Sequence, residues 1–284
     1  MKLNYPLSPK ARKNGAGWLD ICPAHEDRSP SLSINVGDDG KLLLHCFAGC
    51  SFESIISAAG LSKSRPSTSV TQSELEHARA QRIQQEARKI AYCDKLWKQG
   101  QAIEGTLSQE YLVSRNIKHW STMQRHHPGL RYPETGEKLP VLMTAVQRNG
   151  RLVGLHRTYL NHDGTKRNKL MLGSCKGGAA HLIGCTGPLL VAEGIETTLS
   201  LPALHETSEG RYWSALSANG LISLELPKQP SQLIIAADGD PAGLSAANAL
   251  GQRAAGAGWN VLLMPAPEGR DWNDVLMEEC NDRF

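Results

Sequence analysis

No stretch of this 284-residue chain approaches the ~20 consecutive apolar residues needed to span a bilayer. The opening MKLNYPLSPKARKNG also lacks the apolar core of a secretory signal. Both absences point away from membrane and export, so the chain is expected in the cytoplasm, where thiols stay reduced. An excess of one charge sign is missing too: the formal net charge is +3, which neither demands nor excludes a polyanionic partner. Internal repeats are absent, as are low-complexity tracts of consequence. The seven cysteines are an odd number in a reducing compartment, which argues against a disulfide framework. Clustered cysteines then read as metal ligands, and Cys93, Cys175, Cys185 and Cys280 as core packing.

What is present is an ordinary globular composition, 40% hydrophobic and 21% charged, in a chain long enough for one large or two modest domains. The charges are segregated along it. Basic residues crowd 79–98 and 148–176, while acids gather near 193–196, 238–240 and 268–282. A polyanion held by a basic surface beside an acidic metal site would use that separation.

Local patterns order the chain. Residues 18–22, 31–36 and 41–46 read as short strands, with a turn at Gly37-Asp38-Asp39-Gly40 and a short helix opened by Ser51. A Ser/Thr/Pro-rich linker follows at 61–74, then a helix over about 73–99 and a second capped by Ser108. LPVLMTAVQRNGRLVGLHRTYLN predicts a hairpin turning at Asn149-Gly150, with HDGTKRNKLMLG and GGAAHLIG continuing that sheet. From residue 187, apolar strands alternate with helices, the signature of a parallel sheet covered on both faces.

Two constellations carry chemistry. Cys22-Pro23-Ala24-His25 and Cys46-Phe47-Ala48-Gly49-Cys50 are paired soft ligands on tight turns with a hairpin between them, the way a small ribbon surrounds Zn²⁺ tetrahedrally. His45 is a rival imidazole, but beside a ligand on a strand it should face the other way, so His25 is preferred. Four protein ligands leave no open position, which disfavours hydrolysis at that metal. The second constellation is acidic. Glu193 ends one strand, Asp238-Gly239-Asp240 another, and Asp271 and Asp274 follow a third. The carboxyl ends of parallel strands form the working crevice of such sheets, and Mg²⁺ relieves the repulsion of carboxylates gathered there. Glycines 194, 239 and 243 would let phosphate or metal approach the backbone.

LLVAEGIE (189–196), DGDPAG (238–243) and DWNDVL (271–276) resemble the Toprim domain of DnaG-type primases, topoisomerases, OLD-family nucleases and RecR. CPAHEDRSPSLSI with LLHCFAGC is similar to the zinc-binding domain of DnaG-type primases, and the combination looks most like primases of bacteriophages, plasmids and integrated elements. The second knuckle departs from that pattern, with three residues between its cysteines rather than two.

The resemblance implies an α+β zinc ribbon (1–62), a linker and helical segment (63–125), then a mixed α/β core with a central parallel sheet. That core comprises a basic β-rich subdomain (126–186) and a Toprim domain (187–284). Glu193 would be a metal ligand and a candidate general acid or base. Asp238 and Asp240 would hold Mg²⁺ or Mn²⁺, with Asp271 or Asp274 completing a second metal position. Arg157, Lys166, Arg167, Lys169 and Lys176 would cradle template and triphosphates, and the ribbon, holding structural zinc on Cys22, His25, Cys46 and Cys50, would contact single-stranded DNA. A replicative helicase is expected on another chain, because no helicase segment follows Leu276 here. The implied activity is synthesis of short RNA primers by nucleotidyl transfer. A Toprim nuclease and a non-catalytic DNA-binding accessory are the alternatives; a topoisomerase is disfavoured, since no tyrosine sits in a recognisable cleavage domain.

Overall fold

The computed structural model describes residues 5–15, 17–27, 29–37, 41–61, 72–204 and 209–281, which divide into two compact units, Met1–Gln85 and Glu86–Phe284. The first unit is an antiparallel meander in the order β1 (Arg12–Asn14), β2 (Gly17–Asp20), β3 (Leu32–Val36) and β4 (Leu42–Cys46). Alternation in β3 sends Leu32, Ile34 and Val36 inward, where Leu32 and Ile34 meet Leu42 and the helix α1 (Phe52–Ala58) through Ile55 and Ile56. Ser51 caps α1, its hydroxyl accepting from the Ser54 N–H at 3.2 Å. Strand β1 was not anticipated. Residues 38–40 of the expected turn and 62–71 of the expected linker lie outside the described residues.

Helix α2 (Gln72–Gln99) runs through the boundary between the units. The second unit continues with α3 (Leu107–Ser114) and an antiparallel sheet of β5 (Gln124–Arg131), β6 (Lys138–Arg148), β7 (Arg151–Leu160) and β8 (Lys166–Gly173). Asn149 and Gly150 both adopt positive φ (51° and 72°) between β6 and β7, as a tight two-residue hairpin requires. Helix α3 does not start at Ser108. Thr106 occupies the cap position, and Ser108 is buried with its hydroxyl 2.8 Å from His126 Nδ1. A buried hydroxyl beside an imidazole is better satisfied there than at a solvent-facing helix end.

Both faces of the antiparallel sheet are covered, which explains why β6 is buried almost along its length. One face packs Val141, Met143, Leu155 and Tyr159 on Cys93 and Leu96 of α2. The other packs Leu142, Val146 and Leu160 on Tyr111 and Leu112 of α3 and on Ile195 and Leu199 of α4 (Ile195–Leu204).

The rest of the unit is a five-stranded sheet. It comprises β9 (Ala180–Ile183), β10 (Leu189–Ala192), β11 (Arg211–Ser214), β12 (Gln232–Ala237) and β13 (Asn260–Pro265), in the order β13-β12-β10-β11-β9. Strands β10 to β13 are parallel, and β9 runs antiparallel to β11. GGAAHLIG therefore does not extend the hairpin sheet as expected. It leaves that sheet after one bridge, Gln147 to Ala179, and borders the second. One face packs Leu189, Val191, Leu233 and Ile235 against α5 (Ala218–Ser223) and α6 (Pro241–Gly256). The opposite face carries Tyr212, Ala192 and Ala236 under Leu201 of α4 and Trp272 at the start of α7 (Trp272–Asn281). Coverage thins at the edge, where Leu262 and Leu263 of β13 are 52% and 41% exposed.

Candidate functional site

In the ribbon, Cys22, His25, Cys46 and Cys50 stand with their ligand atoms all within 4.8 Å of one another. His25 Nδ1 lies 3.2 Å from Cys50 Sγ and 3.8 Å from Cys46 Sγ. These edges are close to the ~3.5–3.8 Å of a tetrahedron with Zn–S near 2.3 Å and Zn–N near 2.0 Å, and a Cys₃His donor set suits that ion. The register pairing Leu32 with Cys46 sets the second knuckle against the start of β3, and Gly49, at φ 87°, turns the chain back to Cys50. His45 is exposed and packs edge-on against Phe47, away from the cluster.

Asp27 is a residue the sequence reading missed. Its carboxylate accepts from the Cys22 N–H (2.9 Å) and the Ser31 hydroxyl (2.6 Å) and stands 3.7 Å from His25 Nε2. A carboxylate behind the outer nitrogen of a metal-binding imidazole orients the ring. Its position two residues after His25 was the only sequence signal.

The acidic residues lie at the carboxyl ends of β10, β12 and β13. Because Ala192 pairs with Ala236 in parallel register, Glu193 and Asp238 emerge on the same edge. The next loop is tied to Asp238's own: Gly239 N donates to Arg270 O (2.7 Å) and Gly269 N to Gly239 O (3.0 Å). A Cβ on Gly239 would sit 2.0 Å from Pro267 O, and one on Gly243 2.8 Å from Asp238 O. These glycines are therefore demanded by neighbouring backbone rather than by an approaching ligand.

Burial, reinforced by the charges of Glu193, Asp271 and Asp240, raises the Asp238 carboxyl from 3.8 to about 7, against the opposing pull of Lys169. Burial likewise raises Glu193, with Lys169 and the Ala218 N–H opposing and Asp240 and Asp271 adding to the rise. Asp238 Oδ1 is buried with no hydrogen-bond partner. An orphaned carboxylate oxygen among other carboxylates fits a hard divalent cation, for which Glu193, Asp238, Asp240 and Asp271 offer the donor set. Among the described residues only the ribbon quartet draws its ligand atoms within 4.8 Å. Mg²⁺ at such a set would be held by a few carboxylates together with water and substrate phosphates.

The candidate acids are not equivalent. Asp240 caps α6, accepting from Gly243 N at 2.6 Å, and Asp271 Oδ1 accepts from Asn273 N and Asp274 N at the start of α7. Asp271 acts on both Glu193 and Asp238. Asp274 accepts from the Asp271 N–H and faces Arg115 at 3.8 Å, so of the two it is Asp271 that joins the cluster.

The basic candidates divide by sheet face. Tyr159 pairs with Asn168 and Leu160 with Lys166, so a bulge absorbs Arg167. The bulge brings Lys166 and Lys169 to one face, shared with His156 and Thr158, and Lys169 bears on Glu193 and Asp238. Arg157 takes the opposite face, its guanidinium donating to the Tyr159 hydroxyl (3.0 Å) and Met171 O (3.2 Å). Lys176 is exposed in the loop after β8. Thus Lys166 and Lys169 share the face toward the acids and Arg157 does not.

Two outcomes are expected. Cys46→Ala should lose bound zinc and melt the ribbon, since structural zinc supplies roughly 10 kcal/mol of apparent folding free energy in such units. Unchanged zinc content by atomic emission would refute the ligand set. Asp238 holds its proton up to about pH 7 when folded but only to 3.8 when unfolded, so the metal-free fold loses stability as pH rises between those values and is level above. Asp238→Asn should then raise metal-free stability at pH 8 by roughly 1–2 kcal/mol in urea titrations, and a less stable variant would contradict the repulsion.

Residues 188–282 match the family described as "Toprim domain", and residues 77–182 match a domain of unknown function, DUF7146. No curated protein matches the chain. Similar solved structures include an Aquifex aeolicus primase with zinc-binding and RNA polymerase domains (15% identity, TM-score 0.37, covering 96% of this chain and 79% of that one). The primase fragment of the bacteriophage T7 primase-helicase is another (15% identity, TM-score 0.39, 89% and 92%). A third is the RNA polymerase domain of Mycobacterium tuberculosis primase (16% identity, TM-score 0.38, 69% and 81%). Glu193, Asp238, Asp240 and Asp271 all fall within the Toprim match.

Proposed function

We propose that this protein is a primase of the DnaG type, making short RNA primers on single-stranded DNA for a phage, plasmid or other mobile element. The observation that carries the reading is the acidic edge: a buried, partnerless Asp238 oxygen among Glu193, Asp240 and Asp271, on a Toprim-matching sheet and faced by Lys169. The Cys₃His ribbon in the same chain adds a feature that a Toprim nuclease does not need. Zinc is assigned to the ribbon and Mg²⁺ or Mn²⁺ to the acidic edge. Template DNA, nucleoside triphosphates and a helicase carried by another chain are the partners, in the cytoplasm. Among the described residues no helix is long and apolar enough to cross a membrane.

When bound, the divalent cation makes the attacking 3′-hydroxyl more acidic and offsets charge on the departing pyrophosphate. The chain's own residues do the rest. Asp238, Asp240 and Asp271 present oxygens from three fixed points, two of them anchored as helix caps or beside them, so little reorganisation is needed. Glu193, held partly buried with a raised proton affinity, is the carboxylate suited to take up a proton at this edge. Lys166 and Lys169 offer positive charge to phosphates from a single face of β8, and the ribbon engages the template.

The test is synthesis from ribonucleotides on single-stranded DNA with Mg²⁺. Template-dependent oligomers are expected from the parent, and none from Asp238→Ala, which should keep its zinc and DNA binding. Template degradation without oligomers would establish the nuclease instead, and binding alone an accessory.

A further inference from the structure

A fifth carboxylate stands beside this edge and behaves differently. Glu196 lies in the first turn of α4, three residues beyond Glu193, with its side chain only 18% exposed. It accepts a hydrogen bond from the Tyr111 hydroxyl of α3, and Lys166 Nζ of β8 stands 3.9 Å away. Burial opposes its ionisation, yet the Tyr111 hydrogen bond, the charge of Lys166 and its own backbone N–H together lower its pKa, whereas Glu193 and Asp238 are raised.

The surroundings give that anion a mechanical role. Gln124, Thr144 and His156 form a row across β5, β6 and β7 in direct register, all buried on the face that α3 and α4 cover. His156 ends this row with Nδ1 unpartnered, kept neutral by burial, its pKa near 4. Lys166 and Lys169 follow on the same face of β8, which is the last strand of its sheet and largely exposed. An outer strand with few apolar side chains turned inward is weakly held by packing alone. The Glu196–Lys166 pair joins it to α4, the helix that follows Glu193.

We propose that Glu196, oriented by Tyr111, is a positioning residue: by holding Lys166 it sets strand β8, and with it Lys169, at the height where both ammonium groups meet the triphosphate of an incoming nucleotide. The inference rests on the primase reading for its substrate. Both contacts fall on Glu196 Oε1 and come from other elements, so the charge of this carboxylate is directed to Tyr111 and Lys166.

Kinetics of Glu196→Gln, of Tyr111→Phe and, against Lys166→Gln, of the double variant Glu196→Gln/Lys166→Gln separate the possibilities, with triphosphate binding measured by calorimetry beside them. Both single variants should raise KM for nucleoside triphosphate, and weaken its calorimetric affinity, by about tenfold, with kcat changed less than threefold. The double variant should be no worse than Lys166→Gln alone, as expected of two residues acting through one contact. Half-saturation by Mg²⁺ should stay at the parent value. A collapse of kcat with a shifted Mg²⁺ requirement would make Glu196 a metal ligand and overturn the proposal; so would a lowered melting temperature with unchanged KM. If Glu196→Gln fails to fold, Tyr111→Phe carries the same test. Should the parent make no primers but bind triphosphate, the calorimetric arm still decides this inference while the primase reading alone falls.

Discussion

The carboxyl ends of β10, β12 and β13 bring Glu193, Asp238 and Asp271 to one edge, and much of the second unit bears on how their repulsion is contained. Parallel register sets Glu193 beside Asp238, and the Gly239 and Gly269 hydrogen bonds lash the β12 and β13 loops together. Neither loop can relax without breaking backbone pairing. The strain therefore falls on the side chains, as raised proton affinity at Asp238 and Glu193 and as one oxygen with no partner. Such poise is destabilising without a counter-charge, and functional sites are where proteins tolerate it.

Relief comes from two directions. Asp240 and Asp271 spend part of their charge on the N–H groups that open α6 and α7, where the helix dipole favours an anion. Lys169 approaches from the antiparallel sheet and opposes the rise at both Glu193 and Asp238. The Arg167 bulge sets Lys166 on the same face: with regular alternation, Lys166 and Lys169 would point to opposite faces. A one-residue irregularity thus puts a second cation on the face of Lys169.

The ribbon is organised on a different basis. Its core is small, built on Leu32, Ile34, Leu42, Ile55 and Ile56, and its cysteines and His25 converge on one point with Asp27 behind the imidazole. Three thiols and an imidazole from two knuckles meet beside this small core, whereas the larger unit is organised by apolar volume.

The ribbon ligands were legible because their spacing is local: each pair lies within one turn. So were the acidic strand ends, since apolar strands that stop at Glu193 and Asp238 announce the crevice of a parallel sheet. The Asn149-Gly150 hairpin was equally plain, for its backbone needs those residues. What stayed hidden depends on pairing between distant segments. Ser108 reads as a cap until His126 arrives to bond it, GGAAHLIG reads as one more hairpin strand until β11 claims it, and Arg157 reads like its basic neighbours until register turns it away. Alone, the sequence determined which residue types stand at each strand end and knuckle, because turns, caps and ligand pairs are set within a few residues. Only the tertiary structure decided which charges meet, namely Lys169 with the carboxylates and Lys166 with Glu196, because a bulge and a strand order determine sheet faces over separations that no local pattern records.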